Sequence, residues 1–198
     1  RWYALLRNQR DEEVRACDIL LERQPVRIHQ RVTRNLRRNP SDNVPFDQAP
    51  AMKAAEITDA TIELLRNGQF DWGRINYANG DMVGHTGDLD ATIESMEILD
   101  DALARLVGVV VDELDGMIIF TADHGNADIM YTEKNGIRSP KTSHTLSAVP
   151  FVVHCQNPER YQLVADGTTG LANIAATVIS VLGFEPPTDY QPSLVISR

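Results

Sequence analysis

One stretch constrains the chain's fold more than any other. Residues 90–114 carry Ile93, Met96, Leu99, Leu103, Leu106, Val107, Val110 and Leu114, spaced by threes and fours. That spacing predicts one long helix with a single apolar stripe. The pair Asp115-Gly116 then turns the chain into Met117–Thr121, a short, wholly apolar run of the kind a buried strand shows. A helix feeding directly into a buried strand needs cover on both faces of its sheet. The spacing therefore predicts an α/β fold, layered α/β/α with a mostly parallel sheet.

The rest of the chain extends this pattern. Residues 1–24 read as a helix broken at Pro25, and 39–50 (NPSDNVPFDQAP) as an extended connector. Residues 51–67 predict a helix stopped by Gly68, 72–78 a strand weakened by Gly73, and 148–154 a second buried strand. Residues 170–182 predict a further helix closed by Gly183. Two domains are expected: an arginine-rich head over residues 1–38 and the α/β body over 39–198. The head holds ten arginines, no lysine and five acids, whereas the whole chain has a net charge of −9. Its arginines stand singly among Asp, Glu and Leu, which fits a basic amphipathic surface better than a nucleic-acid-binding arm. Arginine without lysine is also what an out-of-frame reading of GC-rich DNA produces. The acidic body repels phosphate backbones, so no nucleic-acid partner is expected. No apolar run approaches the ~18 residues of a membrane span, so no membrane partner is expected either. Two cysteines, no disulfide framework and no secretory h-region predict a cytoplasmic setting.

In such sheets, ligands bind beyond the carboxyl ends of strands, and that is where the unusual residues lie. The expected loop at 79–87 reads NGDMVGHTG, the loop after Met117–Thr121 reads ADHGN, and TSHT precedes the strand at 148–154. Asp81 and His85 are four residues apart, so a compact or helical loop directs both at one ion. Asp123 and His124 are adjacent at a strand end, and His144 comes from a third segment. Mixed Asp and His ligands suit Mn²⁺ or Zn²⁺, whereas all-oxygen sites suit Mg²⁺ or Ca²⁺. Taken singly, a DxxxH or an Asp-His step is as well explained by a helix cap or a surface pair. Three such sites at successive strand ends point to a metal centre. His29, in the head, and His154, inside a strand, read as structural.

The stretches NYANGDMVGHTGDLDATIE (76–94), FTADHGNADIM (120–130) and KTSHTLSAVPFVV (141–153) resemble the cofactor-independent (2,3-bisphosphoglycerate-independent) phosphoglycerate mutases of the alkaline phosphatase superfamily. So do residues 40–60 and 163–187, which extends the resemblance over residues 40–198. It implies an alkaline phosphatase-like fold, incomplete in this chain, and a glycolytic isomerase that interconverts 3- and 2-phosphoglycerate through a phosphoserine at a two-Mn²⁺ site. It assigns Asp81, His85 and His144 to one manganese, and Asp123 and His124 to part of the second. The family's nucleophilic serine and a further Asp come from an N-terminal part that this chain does not match, as do the arginines that grip the substrate. No catalytic residue is therefore expected here, and the chain alone is expected to be inactive. No convincing stand-in for the missing Asp and Ser is found: Ser143 and Thr86 offer hydroxyls, but nothing in the sequence activates them. Ser147-Ala148 replaces the Asn-Pro more usual in the family after its last metal histidine. The resemblance further implies a small phosphoglycerate as the partner and a monomer for the complete enzyme. Two other readings are a catalytically dead metal-binding remnant and another phosphomutase or phosphatase of the same superfamily.

Overall fold

The structure is a computed structural model describing residues 17–23, 33–39, 43–68, 70, 72–164 and 169–198. Strands β1 (Cys17–Arg23) and β2 (Thr33–Asn39) pair antiparallel, and β1 also pairs antiparallel with β3 (Trp72–Ile75). The helix expected over 1–24 is thus corrected where it is described: backbone pairing to two partners makes residues 17–23 a strand, and pairing overrides a local propensity. Residues 1–16 and His29 lie outside the described residues.

Helix α1 (Ala54–Arg66) ends as expected, with Gly68 in the left-handed region at φ 68°. The segment after β3 is not a loop but a short helix, α2 (Asn79–Gly84). Its glycines suggested a loop, but Asn79 anchors the first turn. The Asn79 side chain is fully buried and donates from Nδ2 to the Pro50 and Ala51 carbonyls, at 2.8 and 3.1 Å. Helix α3 (Leu89–Val107) starts at Asp88, whose carboxylate accepts the Ala91 N–H. It runs on through a π-helical turn, Gly108–Glu113.

Strand β4 (Met117–Thr121) links the two halves of the core. Ile118 packs with Ile57, Leu65, Leu106 and Val109 from α1, α3 and the π turn. Met117 and Ile119 point the other way, towards Val178 of helix α4 (Ile174–Val181). The alternation of β4 thus puts different helices on its two faces. Each large aliphatic side chain fully buried this way contributes about 1.5–3 kcal/mol. The stripe on α3 is only partly used. Leu106 and Val110 are buried, but Ile93 and Met96 are 49% and 45% exposed, because the first turns of α3 bury the small residues Ala91, Thr92 and Ser95 instead. Periodicity locates a face but does not say where along the helix that face is covered.

Among the described residues every ladder is antiparallel, so the expected mostly parallel sheet does not appear there. Strand β4 pairs with β7 (Phe151–Cys155), and β5 (Tyr131–Lys134) pairs with β6 (Ile137–Pro140). Strand β8 (Tyr161–Leu163) pairs with β9 (Val195–Ser197). The chain leaves β4 through the β5–β6 hairpin and returns beside it as β7, a path that makes the pair antiparallel.

Candidate metal centre

Three segments meet at one point. Asp81 lies in the first turn of α2 and His85 caps its end, so the four-residue spacing puts both side chains on one side of the helix. His144 comes from the segment between β6 and β7, and Asp123 and His124 follow the carboxyl end of β4.

Asp81 Oδ1 is the hub. It lies 3.2 Å from His85 Nε2 and 3.0 Å from His144 Nε2, and those two nitrogens are 3.0 Å apart. Two ligands ~2.1 Å from one ion, at tetrahedral or octahedral angles, are themselves about 3.0–3.5 Å apart. All three separations fall in that window. His85 Nδ1 donates to the Thr142 carbonyl at 2.6 Å, which leaves the Nε2 lone pair facing the hub. The donor set and its spacing therefore fit a divalent cation. Among the described residues this trio is the three-ligand cluster with metal-holding spacing.

The remaining candidates stand beside it. The His124 ring stacks on His144 with centroids 3.7 Å apart, and its Nε2 lies 4.0 Å from Asp81 Oδ1 and 3.6 Å from Asp123 Oδ1. His124 Nδ1 is buried with no hydrogen-bond partner. Asp123 approaches His124 but does not join the trio. The hydroxyls considered as stand-ins are engaged elsewhere: Thr86 donates to the Val83 carbonyl, and Ser143 accepts from Lys141. A cavity of about 400 Å³ opens beside the hub, lined by Asp81, Asp123 and His124 together with Met96, Leu99 and Leu103.

Residues that sequence reasoning did not single out hold the donors in place. Lys141 Nζ donates to the carbonyls of Ser143 and His144, which shapes the His144 loop. Thr145 N–H donates to the Gly125 carbonyl at 2.8 Å, and the Thr145 hydroxyl bonds the Asp128 carboxylate at 3.0 Å. Hydrogen bonding from Ser147, and then from Thr145, holds the Asp128 carboxyl below the ordinary carboxylate range, against an opposing effect of burial. The Ser147 N–H donates to the Thr145 hydroxyl at 3.3 Å. Asn126 Nδ2 donates to the carboxylate and the carbonyl of Asp81, at 2.8 and 3.1 Å. The only signal for these residues was their place inside the stretches around the loops, since the burial of an asparagine cannot be read from sequence.

A carboxylate and two imidazoles converging at the end of an α/β core define a divalent-metal-binding protein. The Metalloenzyme superfamily model matches residues 33–186, and the chain belongs to that superfamily. It is 48% identical over 167 residues to the 2,3-bisphosphoglycerate-independent phosphoglycerate mutase of Trypanosoma brucei brucei, and 40% identical over 171 residues to that of Zea mays. Each alignment covers 79% of this chain and 30% of the relative. The crystal structure of Leishmania mexicana phosphoglycerate mutase at low cobalt concentration superposes with a TM-score of 0.76 at 46% identity, covering 81% of this chain and 31% of that one. The chain thus spans about 30% of the length of the curated relatives it matches. Among the described residues no helix is long and apolar enough to cross a membrane.

Proposed function

We propose that this chain is the C-terminal part of the metal-binding domain of a cofactor-independent phosphoglycerate mutase. The complete enzyme interconverts 3-phosphoglycerate and 2-phosphoglycerate in the cytoplasm, as a monomer that engages neither nucleic acid nor membrane. In this reading the body begins near residue 39. The alkaline phosphatase-like sheet, layered and mostly parallel, is completed by the portion of the relatives that the chain does not span. The observation that carries the reading is the convergence of Asp81 Oδ1, His85 Nε2 and His144 Nε2 at 3.0–3.2 Å within stretches shared with the trypanosome mutase.

Asp81, His85 and His144 would hold one Mn²⁺, and Asp123 and His124 would contribute to a second. When bound, such a metal pair supplies positive charge to a transferring phosphoryl group and its nucleophile. The chain's own residues do the positioning. His85 keeps its Nδ1 proton on the Thr142 carbonyl, so its Nε2 stays a lone-pair donor. His124 stacks on His144 and limits the tilt of that ring. The phosphoserine intermediate forms on a serine outside this chain.

The test is uptake and turnover by the purified chain, alone and co-expressed with the remaining portion of the trypanosome relative. The expected result is Mn²⁺ uptake that His85→Ala abolishes, no mutase activity alone, and mutase activity once the other portion is supplied. A Mn²⁺-dependent mutase rate from the chain alone, lost in His85→Ala, would overturn the assignment as an inactive part. Uptake at one site with no phosphate chemistry in either form would favour the catalytically dead remnant. Turnover of other phosphoesters but not phosphoglycerate would favour another phosphomutase or phosphatase.

A further inference from the structure

Asn126 is 5% exposed, and it reaches Asp81 through a single atom. Nδ2 carries two hydrogens; one goes to the Asp81 carbonyl at 3.1 Å and the other to Asp81 Oδ1 at 2.8 Å. Both targets are pure acceptors, so only the amine end of the amide can face them. The two bonds grip the main chain and the side chain of the same residue, and so fix the torsions between them. Oδ1 is also the oxygen nearest both histidines. An ionised carboxylate oxygen offers two lone pairs. With one on the Asn126 amide, the other is left for the hub.

The other end of the amide shows what the arrangement costs. Asn126 Oδ1 is buried without a hydrogen-bond partner, a loss that a mere space-filling role would not sustain. It is accommodated only because residue 84 is glycine: a Cβ there would lie 2.7 Å from Asn126 Oδ1 and 3.1 Å from its Cγ. Gly84 directly precedes the ligand-candidate His85, so α2 leaves its side open where the amide must enter.

We propose that Asn126, seated against Gly84, is the positioning residue of the metal centre, presenting Asp81 as a one-oxygen ligand. This rests on reading the trio as a metal site. The experiment titrates the full 198-residue chain with Co²⁺, whose visible bands report ligand number and geometry, and uses far-UV circular dichroism of the metal-free chain to check folding. Asn126→Ala removes both donors. Asn126→Ser keeps one short donor. Gly84→Ala leaves every hydrogen-bonding group in place but pushes the amide away. Lost outer contacts to metal ligands typically weaken affinity about 10–100-fold. Asn126→Ala is expected to lose that much, with altered Co²⁺ bands and unchanged circular dichroism, Asn126→Ser to recover part of it, and Gly84→Ala to shift in the same direction. Should Asn126→Ala fail to fold, Asn126→Ser and Gly84→Ala decide the question between them. Parent-like affinity and bands in the folded variants would overturn the positioning role alone. A parent chain that takes up no Co²⁺ would overturn the metal reading and this role with it.

Discussion

Placing a methyl group on Gly125 tests how the two loops of the candidate metal centre are held together. Gly125 and Thr145 form an isolated antiparallel bridge, and Thr145 also bonds the Asp128 carboxylate through its hydroxyl. A Cβ at residue 125 would lie 2.1 Å from Thr145 Oγ1 and 2.6 Å from Asp128 Oδ1. The φ of Gly125 is outside the left-handed region, so the cost of Gly125→Ala is one of space and not of backbone strain. Neither neighbour can swing away cheaply, because threonine is stiff at χ1 and the two groups hold each other. Overpacking costs about 1–3 kcal/mol, and parting a hydroxyl from a carboxylate adds about 1.5 kcal/mol, the low end because Asp128 is exposed. A total of about 3 kcal/mol corresponds to a drop of about 6–12 °C in Tm for a chain of this size. The assay is thermal unfolding by circular dichroism in the presence of a chelator. In a Thr145→Ala background the 2.1 Å clash is gone, and the added methyl should cost less by about 1–2 kcal/mol. A Gly125→Ala variant melting within about 2 °C of the parent, or strict additivity of the two changes, would mean that the loops are not clamped at this bridge.

Two further outcomes follow from single residues. Asn79→Ala strips two carbonyls of a fully buried donor and should destabilise the chain by about 2 kcal/mol, seen as a Tm lower by about 4–8 °C; an unchanged Tm would remove Asn79 as the anchor of α2. The Asp128 carboxyl titrates below its ordinary value of 3.8 in the folded chain, so it contributes stability above that pH and loses it as the pH falls through the lower, folded value. Urea unfolding of Asp128→Asn should therefore fall off less steeply below about pH 3.8 than that of the parent, and parallel curves would count against the bonds from Ser147 and Thr145.

The parts of this fold that were legible in the sequence are those whose cause is local. The stop at Gly68, the single long helical stretch that begins with α3, the buried run at β4 and the stop at Gly183 each follow from a periodicity or a glycine within one segment, whereas the π turn after α3 does not. Pairing partners were not legible. Nothing local in residues 17–23 announces that β2 and β3 make them a strand, and nothing in Met117–Thr121 says that its partner returns antiparallel. The β5–β6 hairpin is a different case. Asn135 and Gly136 both have positive φ, 54° and 77°, and Asn-Gly between short runs was a readable sign of a hairpin turn. At the site, the residue types of Asp81, His85 and His144 and the four-residue spacing of the first two were legible, but the helix that carries Asp81 and that His85 caps was not. The supporting residues Asn126, Thr145, Asp128 and Lys141 are common surface types, and only their burial or partners distinguish them.

How His144 comes to face Asp81 from so far along the chain has a specific answer in residues 141–145. Lys141 binds the carbonyls of residues 143 and 144, the Thr142 carbonyl accepts from His85, and Thr145 bridges to Gly125 while bonding Asp128. The segment is thus tied on both sides of the histidine. None of these ties uses the Nε2 atoms of the histidines or the Oδ1 of Asp81. Of the supporting side chains described, Asn126 touches that oxygen, and it leaves one lone pair open. Donors gathered by bonds made elsewhere need little ordering when a ligand arrives, so more of the interaction energy is expressed as affinity. By the same logic, loosening a tie that touches no donor should weaken metal uptake through the position of His144. Lys141→Met keeps the length of the side chain and removes its three donors. In a Co²⁺ titration it should therefore lower affinity, but by less than Asn126→Ala, because the Thr142 and Thr145 ties remain. An affinity equal to the parent's would mean that those two ties hold His144 without help from Lys141.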